Sequence, residues 1–276
     1  MRRKTLRQTT VLKGIGLHTG MPCSMILKPS EQGYISFIRA DIAGSGTIKA
    51  ELNSVSSVMR GTNLSNAKAE VHTVEHILSA LNAFGITDLI IEMDGPEPPV
   101  MDGSALEYAN AIIKAGFKQI DDDYPILKVT KNIDYKEGDI VYKAEPSDKT
   151  KLTFIFLRDH PLVSRQEYTF EVKPDNFLKE IAPARTFGFE EEIEFLRKNG
   201  LAKGGTVNNC VVITKTGFTT RPRFENEMAR HKILDMLGDF KLINKALTNI
   251  HITCSCGGHK SNIEFGKILL KETING

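Results

Sequence analysis

The sequence has little net charge and no long apolar run, and each scarcity excludes a class of protein. Thirty-six basic residues against 34 acidic ones leave a formal charge of +2, too small a bias for nucleic-acid binding through a strongly charged face. No stretch reaches the roughly 18 apolar residues that a bilayer-spanning helix needs. The sequence therefore predicts neither a nucleic-acid partner nor a transmembrane segment.

Cysteine is also scarce. The chain has only Cys23, Cys210, Cys254 and Cys256, and their spacing does not form the two C-x2-C pairs of a structural zinc site. The first residues are basic like the start of a signal peptide, but polar residues follow where an apolar segment should stand. We expect reduced thiols and a cytoplasmic protein without an export signal.

The composition fits a folded chain of one or two domains. Hydrophobic residues make up 41% and charged residues 25% of the 276 positions, as in average globular proteins. An acidic run at residues 121–123, closed by Pro125, is typical of an exposed linker. We expect an N-terminal domain over residues 1–122 and a C-terminal domain over residues 123–276.

Apolar periodicity predicts a similar order of elements in both halves. The first half is expected to contain strands at 12–17, 23–28, 34–39 and 88–93 with helices at 73–84 and 105–115. The second half is expected to contain strands at 126–130, 140–144, 151–156 and 210–214 with helices at 190–198 and 226–242. This is an α+β layout in duplicate, although no residue-level repeat connects the halves.

The segment from His72 to His76 reads H-x-x-E-H, with Glu75 as its acid. On one helix, these three side chains would share a face opposite the apolar residues and could present two imidazoles and a carboxylate to a metal. An ordinary solvated helix face explains so short a motif equally well. Both interpretations stay open on this segment alone.

A second polar stripe lies on the helix predicted at 226–242. His231, Asp235 and Asp239 are spaced four residues apart and therefore face one side. An imidazole and a carboxylate one turn apart are workable ligands for Zn2+, which in catalytic sites takes three protein groups and a water. The alternative is a hydrogen bond between His231 and Asp235 within the helix. Near the end of the chain, Gly257 and Gly258 let the backbone turn tightly and present His259 from a loop.

Four segments in order resemble one known family. They are Val74-Glu75-His76-Ile77-Leu78-Ser79-Ala80-Leu81, Pro99-Val100-Met101-Asp102-Gly103-Ser104, Ala184-Arg185-Thr186-Phe187-Gly188-Phe189 and Arg230-His231-Lys232-Ile233-Leu234-Asp235-Met236-Leu237-Gly238-Asp239. Together they resemble the UDP-3-O-acyl-N-acetylglucosamine deacetylases of lipid A biosynthesis, and the match runs over nearly the whole chain. One departure is the loop before His259, where the family usually has Lys-Ser-Gly and this chain has Cys-Gly-Gly.

The resemblance implies two similar α+β domains, each a sheet with two helices, packed so that the helices lie between the sheets. It also implies one Zn2+ per chain, held by His76, His231 and Asp235, with Fe2+ as an alternative metal for such a ligand set. Lys232 and Phe187 are implied as substrate contacts. The implied substrate is a UDP-linked acylated glucosamine, and we expect a monomeric enzyme.

The resemblance further implies how the amide is hydrolysed. Glu75 is the general base, His259 is the general acid or electrostatic stabiliser, and Asp239 orients His259. Thr186 contacts the reacting carbonyl, whereas His72 is not a ligand. Two rival functions are a metallopeptidase that uses His72 and His76 as ligands, and an inactive relative that only binds nucleotide-sugar lipids.

Overall fold

Two five-stranded mixed sheets with helices between them frame the protein in a computed structural model that describes residues 1–273. In the first half, the strands are β1 (Arg2–Leu6), β2 (Thr10–Ile15), β3 (Pro22–Pro29), β4 (Ile35–Arg39), β5 (Ile48–Lys49), β6 (Val55–Ser57), β7 (Asn63–Ser65), β8 (Glu70–Val71), β9 (Leu89–Met93) and β10 (Phe117–Asp123). The helices are α1 (Glu75–Ala83) and α2 (Leu106–Ala115), with a 3-10 turn at Leu52–Ser54.

The second half contains β11 (Ile126–Leu127), β12 (Ile133–Glu137), β13 (Ile140–Pro146), β14 (Lys151–Leu157), β15 (Arg165–Glu171), β16 (Phe187–Phe189), β17 (Val211–Ile213), β18 (Ala246–Leu247) and β19 (Ile250–Ser255). Its helices are α3 (Pro174–Asn176), which continues into a π-helical turn at Phe177–Ile181, α4 (Glu190–Lys198), α5 (Glu227–Lys241) and α6 (His259–Glu272).

The two large sheets have the same topology. Their strand orders are β2-β3-β9-β4-β5 and β12-β13-β19-β14-β15. In both, the neighbouring pairs run antiparallel, antiparallel, parallel and antiparallel. The predicted duplicated α+β layout is therefore confirmed. The duplication is seen in the strand order and not in the amino-acid sequence, since the two halves of the chain share no visible repeat.

Helices α1 and α5 form the centre of the layer between the sheets. Both are buried over most of their surface, including positions such as Leu78, Leu81, Leu234 and Met236, as expected for helices packed on more than one side. They approach closely at Gly238, where an added Cβ would lie 2.1 Å from the carbonyl oxygen of Glu75. A side chain at that position would push the two helices apart.

In the second half, the helix that corresponds to α2 is not the helix that the sequence predicted. The helix predicted at 190–198 is present as α4, but it lies in an excursion between β16 and β17. The counterpart of α2 is instead α6, which follows β19 as α2 follows β9. The prediction of a loop around His259 was therefore wrong, because His259 is the first residue of α6. Two glycines before it and Gly266 within it weaken the helical signal of this segment.

The predicted linker was also wrong in part, because residues 121–123 form the end of β10 rather than a loop. This strand pairs antiparallel with β1. Arg2 forms an ion pair with Asp121 at 3.2 Å, and Arg3 forms one with Asp122 at 2.5 Å. The acidic run is thus paired with basic residues of the neighbouring strand, a long-range contact that sequence alone does not show.

The helices that the structure describes are too short or too polar to cross a membrane. Within residues 1–273, none is both long enough and apolar enough to span a bilayer.

Candidate functional site

The first turn of α1 faces the middle of α5. Glu75 and His76 begin α1, and both are buried, with 2% and 6% of their surface exposed. His72 precedes the helix: its backbone N–H donates to the carbonyl of Pro96, and its ring lies 3.9 Å from Glu70. The interpretation of the H-x-x-E-H segment as one helical face was therefore wrong, since only two of its three polar residues lie on the helix.

The structure brings His76, His231 and Asp235 together. One potential ligand atom from each lies within 4.8 Å of the others, and the two imidazole rings are 5.0 Å apart between centroids. Nε2 of His231 is 3.4 Å from Oδ1 of Asp235. Two imidazoles and one carboxylate converging from two helices can hold a divalent metal ion.

The hydrogen bonds of these residues favour a metal over a hydrogen bond within the helix. Nδ1 of His231 donates to the carbonyl of Ala184 at 3.0 Å, which fixes the tautomer that leaves Nε2 with a free electron pair. Oδ1 of Asp235 is buried and has no hydrogen-bond partner among the described residues. A buried oxygen without a partner is costly, and a cation bound between His231 and Asp235 would satisfy it.

The charge states of these groups also suit metal binding. Burial lowers the pKa of His76 to about 3 and also lowers that of His231, so both rings are neutral and can act as ligands. Burial alone would raise the pKa of Asp235, but the nearby Lys232 and His231 hold it below its usual range. The Lys232 ammonium donates to Oδ2 of Asp235 at 3.0 Å, which leaves Oδ1 free.

Glu75 and His259 lie beside this cluster. Oε2 of Glu75 accepts the backbone N–H of Thr62 at 2.9 Å, and its Oε1 lies 3.8 Å from Nε2 of His259. On the other side of the ring, Nδ1 of His259 donates to Asp239 at 3.0 Å, and Asn262 donates to the same carboxylate at 2.7 Å. The ring is thus held by Asp239 with its Nε2 towards the site.

Glu75 and His259 have pKa values shifted in ways that suit proton transfer. Burial raises the pKa of Glu75 to about 7. Burial alone would lower the pKa of His259, but the carboxylates of Asp239, Glu75 and Asp235 raise it to about 9. Paired groups with such values are typical of acid and base partners in active sites.

Most of the predicted site residues line a polar cavity of about 200 Å³. It is lined by Leu17, Arg60, Thr73, Glu75, His76, Thr186, Phe187, His231, Lys232, Asp235 and His259. Asp239 does not line the cavity and touches it only through His259. The Lys232 ammonium lies 5.6 Å from the ring centroid of Phe187, so these two side chains flank one wall of the cavity.

An apolar cavity of about 360 Å³ adjoins the polar one. The two share Leu17, Arg60, Thr186 and Phe187. The remaining walls come mainly from the excursion that carries α4, including Ile193, Leu196 and Val207, and from Val212 of β17. The combined space suits a molecule with a polar reacting group and an apolar chain.

Several residues of the site have no counterpart in the sequence prediction, among them Thr62, Asn262 and Arg60. Thr62 donates its hydroxyl to Asp239 at 2.5 Å as well as its N–H to Glu75. Asn262 is the other donor to Asp239, and Arg60 lines both cavities. Asn262 lies in the first turn of α6, which the sequence predicted as a loop, so no sequence signal identified it. The strand segment around Thr62 carries no motif.

Comparison with known proteins gives a consistent result. The family model described as UDP-3-O-acyl N-acetylglycosamine deacetylase matches residues 3–271. A UDP-3-O-acyl-N-acetylglucosamine deacetylase of Thermodesulfovibrio yellowstonii is 40% identical over 271 residues, covering 98% of this chain and 92% of the relative. The enzymes of that name from Campylobacter fetus and Helicobacter pylori are 38% and 36% identical over 278 residues, covering 98% and 100% of this chain and 94% and 93% of theirs. Since the model and these relatives all span nearly the whole sequence, the chain belongs to the UDP-3-O-acyl N-acetylglycosamine deacetylase family.

Proposed function

We propose that the protein hydrolyses the N-acetyl group of a UDP-3-O-acyl-N-acetylglucosamine in a zinc-dependent reaction of lipid A biosynthesis. The names of its relatives support the substrate and the reaction. The observation that carries the zinc dependence is the convergence of His76, His231 and Asp235, with one Asp235 oxygen buried and unsatisfied among the described residues. Acetate and the free glucosamine amine are the products.

In this proposal, Glu75 accepts a proton from water. A divalent ion held by the three ligands would supply Lewis acidity to the acetamide carbonyl and to a water molecule. The Glu75 carboxylate lines the same cavity. Its Oε2 accepts the backbone N–H of Thr62, and its Oε1 is the oxygen that would accept the proton. Burial raises the pKa of Glu75 to about 7, which makes its carboxylate a stronger base than that of an exposed glutamate.

In this proposal, His259 donates a proton to the departing nitrogen. An amide nitrogen leaves poorly unless it is protonated, so a second proton donor is needed. The neighbouring carboxylates keep His259 protonated, and Asp239 fixes Nδ1 so that Nε2 carries the transferable proton towards the cavity. Asp239 is therefore a positioning residue.

The walls of the two cavities suggest how the substrate lies. Thr186 stands at the junction of the polar and apolar cavities, where its hydroxyl can donate to the developing oxyanion. Lys232 and Phe187 would hold the sugar, and the apolar cavity lined by Ile193 and Leu196 would take the acyl chain.

The reaction is tested by measuring release of free amine from UDP-3-O-acyl-N-acetylglucosamine. We expect turnover by the zinc-loaded protein, loss of turnover and of bound zinc in His231→Ala, and unchanged values in His251→Ala. His251 is a suitable control because its ring bonds to Thr153 on the second sheet, outside the cavity. Zinc-independent amine release, or a His231→Ala enzyme that keeps both metal and turnover, would refute the proposal.

We propose domains over residues 1–122 and 123–276, a monomer, and a cytoplasmic location. The metallopeptidase alternative has no support in the structure, because His72 belongs to none of the candidate metal clusters among the described residues. The inactive-relative alternative leaves unexplained why Glu75 and His259 both face the cavity.

A further inference from the structure

A third cavity lies at the ends of α1 and α5 that are remote from the candidate metal site. Lys241 follows His231 by ten residues, which places it roughly 15 Å further along the axis of α5. The cavity has a volume of about 310 Å³. We call it the lysine cavity and define it by the lining residues Lys4, Phe84, Tyr124, Phe240, Lys241 and Leu247.

Lys241 is a buried cation without an acidic partner. Only 5% of its surface is exposed, and its ammonium lies 4.9 Å from the ring centroid of Tyr124. Within residues 1–273, its side chain forms no ion pair and no hydrogen bond with another side chain. The carboxylate that raises the pKa of Lys241 is that of Asp88, and it already forms an ion pair with Arg3 at 2.5 Å. An uncompensated buried charge is expensive, and it shows here as a pKa that burial lowers to about 7.

The rest of the lysine cavity has the same sign of charge and apolar walls. No described residue that lines it is Asp or Glu, whereas Lys4 lines it together with Lys241. Lys4 donates to the carbonyl of Phe84 at 2.9 Å. Phenyl rings and aliphatic side chains make up most of the remaining wall. The complementary ligand is an anion that carries an apolar body.

We propose that the lysine cavity is a binding site for a medium-chain aliphatic carboxylate, whose carboxylate pairs with Lys241 and whose chain lies against Phe84 and Phe240. Volumes of this size are in the range of small-molecule sites. The ligand supplies the counter-charge that Lys241 lacks, and the apolar walls remove its chain from water. The site is separate from the deacetylase cavity and does not depend on the function proposed above.

This site is tested by titrating the zinc-loaded protein with octanoate and measuring the affinity by isothermal titration calorimetry. The matched variants are Lys241→Met, which keeps length and removes charge, and Lys241→Arg, which keeps charge. We expect Lys241→Met to weaken octanoate binding at least about tenfold, or about 1.4 kcal/mol, and Lys241→Arg to retain it. Binding in the apolar cavity beside the metal site would be equal in all three proteins and cancels in the comparison.

Two further arms separate charge recognition from simple apolar binding. Neutral octanamide should bind the wild type and Lys241→Met alike. In the wild type alone, octanoate affinity should fall as pH rises from 6 to 9, since the bound anion requires protonated Lys241. Asp88 is the charged group that raises the pKa of Lys241, and the other titratable groups lining the cavity belong to Met1, Lys4, Tyr124 and Lys245. Equal octanoate affinity in wild type and Lys241→Met, or affinity independent of pH in the wild type, would overturn the proposal.

Discussion

The two ends of the α1–α5 helix pair bury charge in opposite ways. At one end, Glu75, Asp235 and Asp239 lie among three imidazoles and Lys232, so that nearly every buried polar atom there has a partner. At the other end, Lys241 is buried beside other lysines and without an acid among the described lining residues. A balanced cluster with one unsatisfied oxygen suits a cation, whereas an unbalanced amine suits an anion. The same pair of helices therefore offers two sites of opposite charge preference.

Removing the carboxylate of Glu75 should have the largest effect on this comparison. We expect Glu75→Ala to retain stoichiometric zinc and to lose about 100-fold or more in turnover, the usual contribution of a general base. Metal analysis and amine release measure the two quantities. Glu107→Ala, on the exposed face of α2, is the control. Unchanged turnover in Glu75→Ala would remove this residue from the mechanism.

The close contact between the helices should rank second. In Gly238→Ala, the new methyl group would meet the carbonyl oxygen of Glu75, and overpacking of this kind costs about 1–3 kcal/mol. Gly266→Ala in α6 is a matched control, because its Cβ would lie 3.5 Å from Ile243, an ordinary contact. Urea unfolding should show a lower free energy of unfolding for Gly238→Ala and an equal or higher one for Gly266→Ala. Equal stability of the two variants would show that the helix contact is not tight.

The charge on Lys241 should produce an effect of comparable size that depends on pH. Its pKa is about 7 in the folded protein and about 10.4 in the unfolded chain. Between these values the unfolded chain binds more protons, so this group makes the free energy of unfolding rise with pH. Below pH 7 it is protonated in both states, and the burial penalty is fully present.

Lys241→Met should remove that dependence. We expect the wild type to gain stability relative to Lys241→Met between pH 7 and 10, by on the order of 1–4 kcal/mol. Lys136→Met, at an exposed position of β12, should follow the wild type. Urea unfolding curves at both pH values measure the difference, and parallel curves for wild type and Lys241→Met would contradict the burial argument.

The smallest effect is expected at His72. Its side chain lies outside α1 and outside the candidate metal cluster, so His72→Ala should keep zinc content and turnover within about twofold, as expected of a surface substitution. His76→Ala should lose the metal. Loss of zinc in His72→Ala would instead support the metallopeptidase interpretation.

Local patterns predicted most of the elements, and their limits follow from what such patterns contain. The helices at α1, α2, α4 and α5 carry clear apolar periodicity, and their positions agree with the prediction. The missed helix α6 follows two glycines and contains a third. The acidic end of β10 could be recognised as strand only through its pairing with β1, which is a long-range contact. The division into two domains stays a prediction.

The candidate site was predictable for a different reason. His231 and Asp235 share a helical stripe, and the resemblance to a family selected His76 over His72. The residues that hold the site together were not predictable: Thr62 and Asn262 touch Glu75 and Asp239 only through tertiary folding. Sequence patterns thus identified the reactive groups but missed their supporting hydrogen bonds.

The most direct test of the metal site is anomalous X-ray diffraction at the zinc edge from crystals of the zinc-loaded protein. We expect a single strong anomalous peak between α1 and α5, about 2.0–2.2 Å from a nitrogen of His76, Nε2 of His231 and an oxygen of Asp235. A peak bound to His72, or no peak between the two helices, would contradict it.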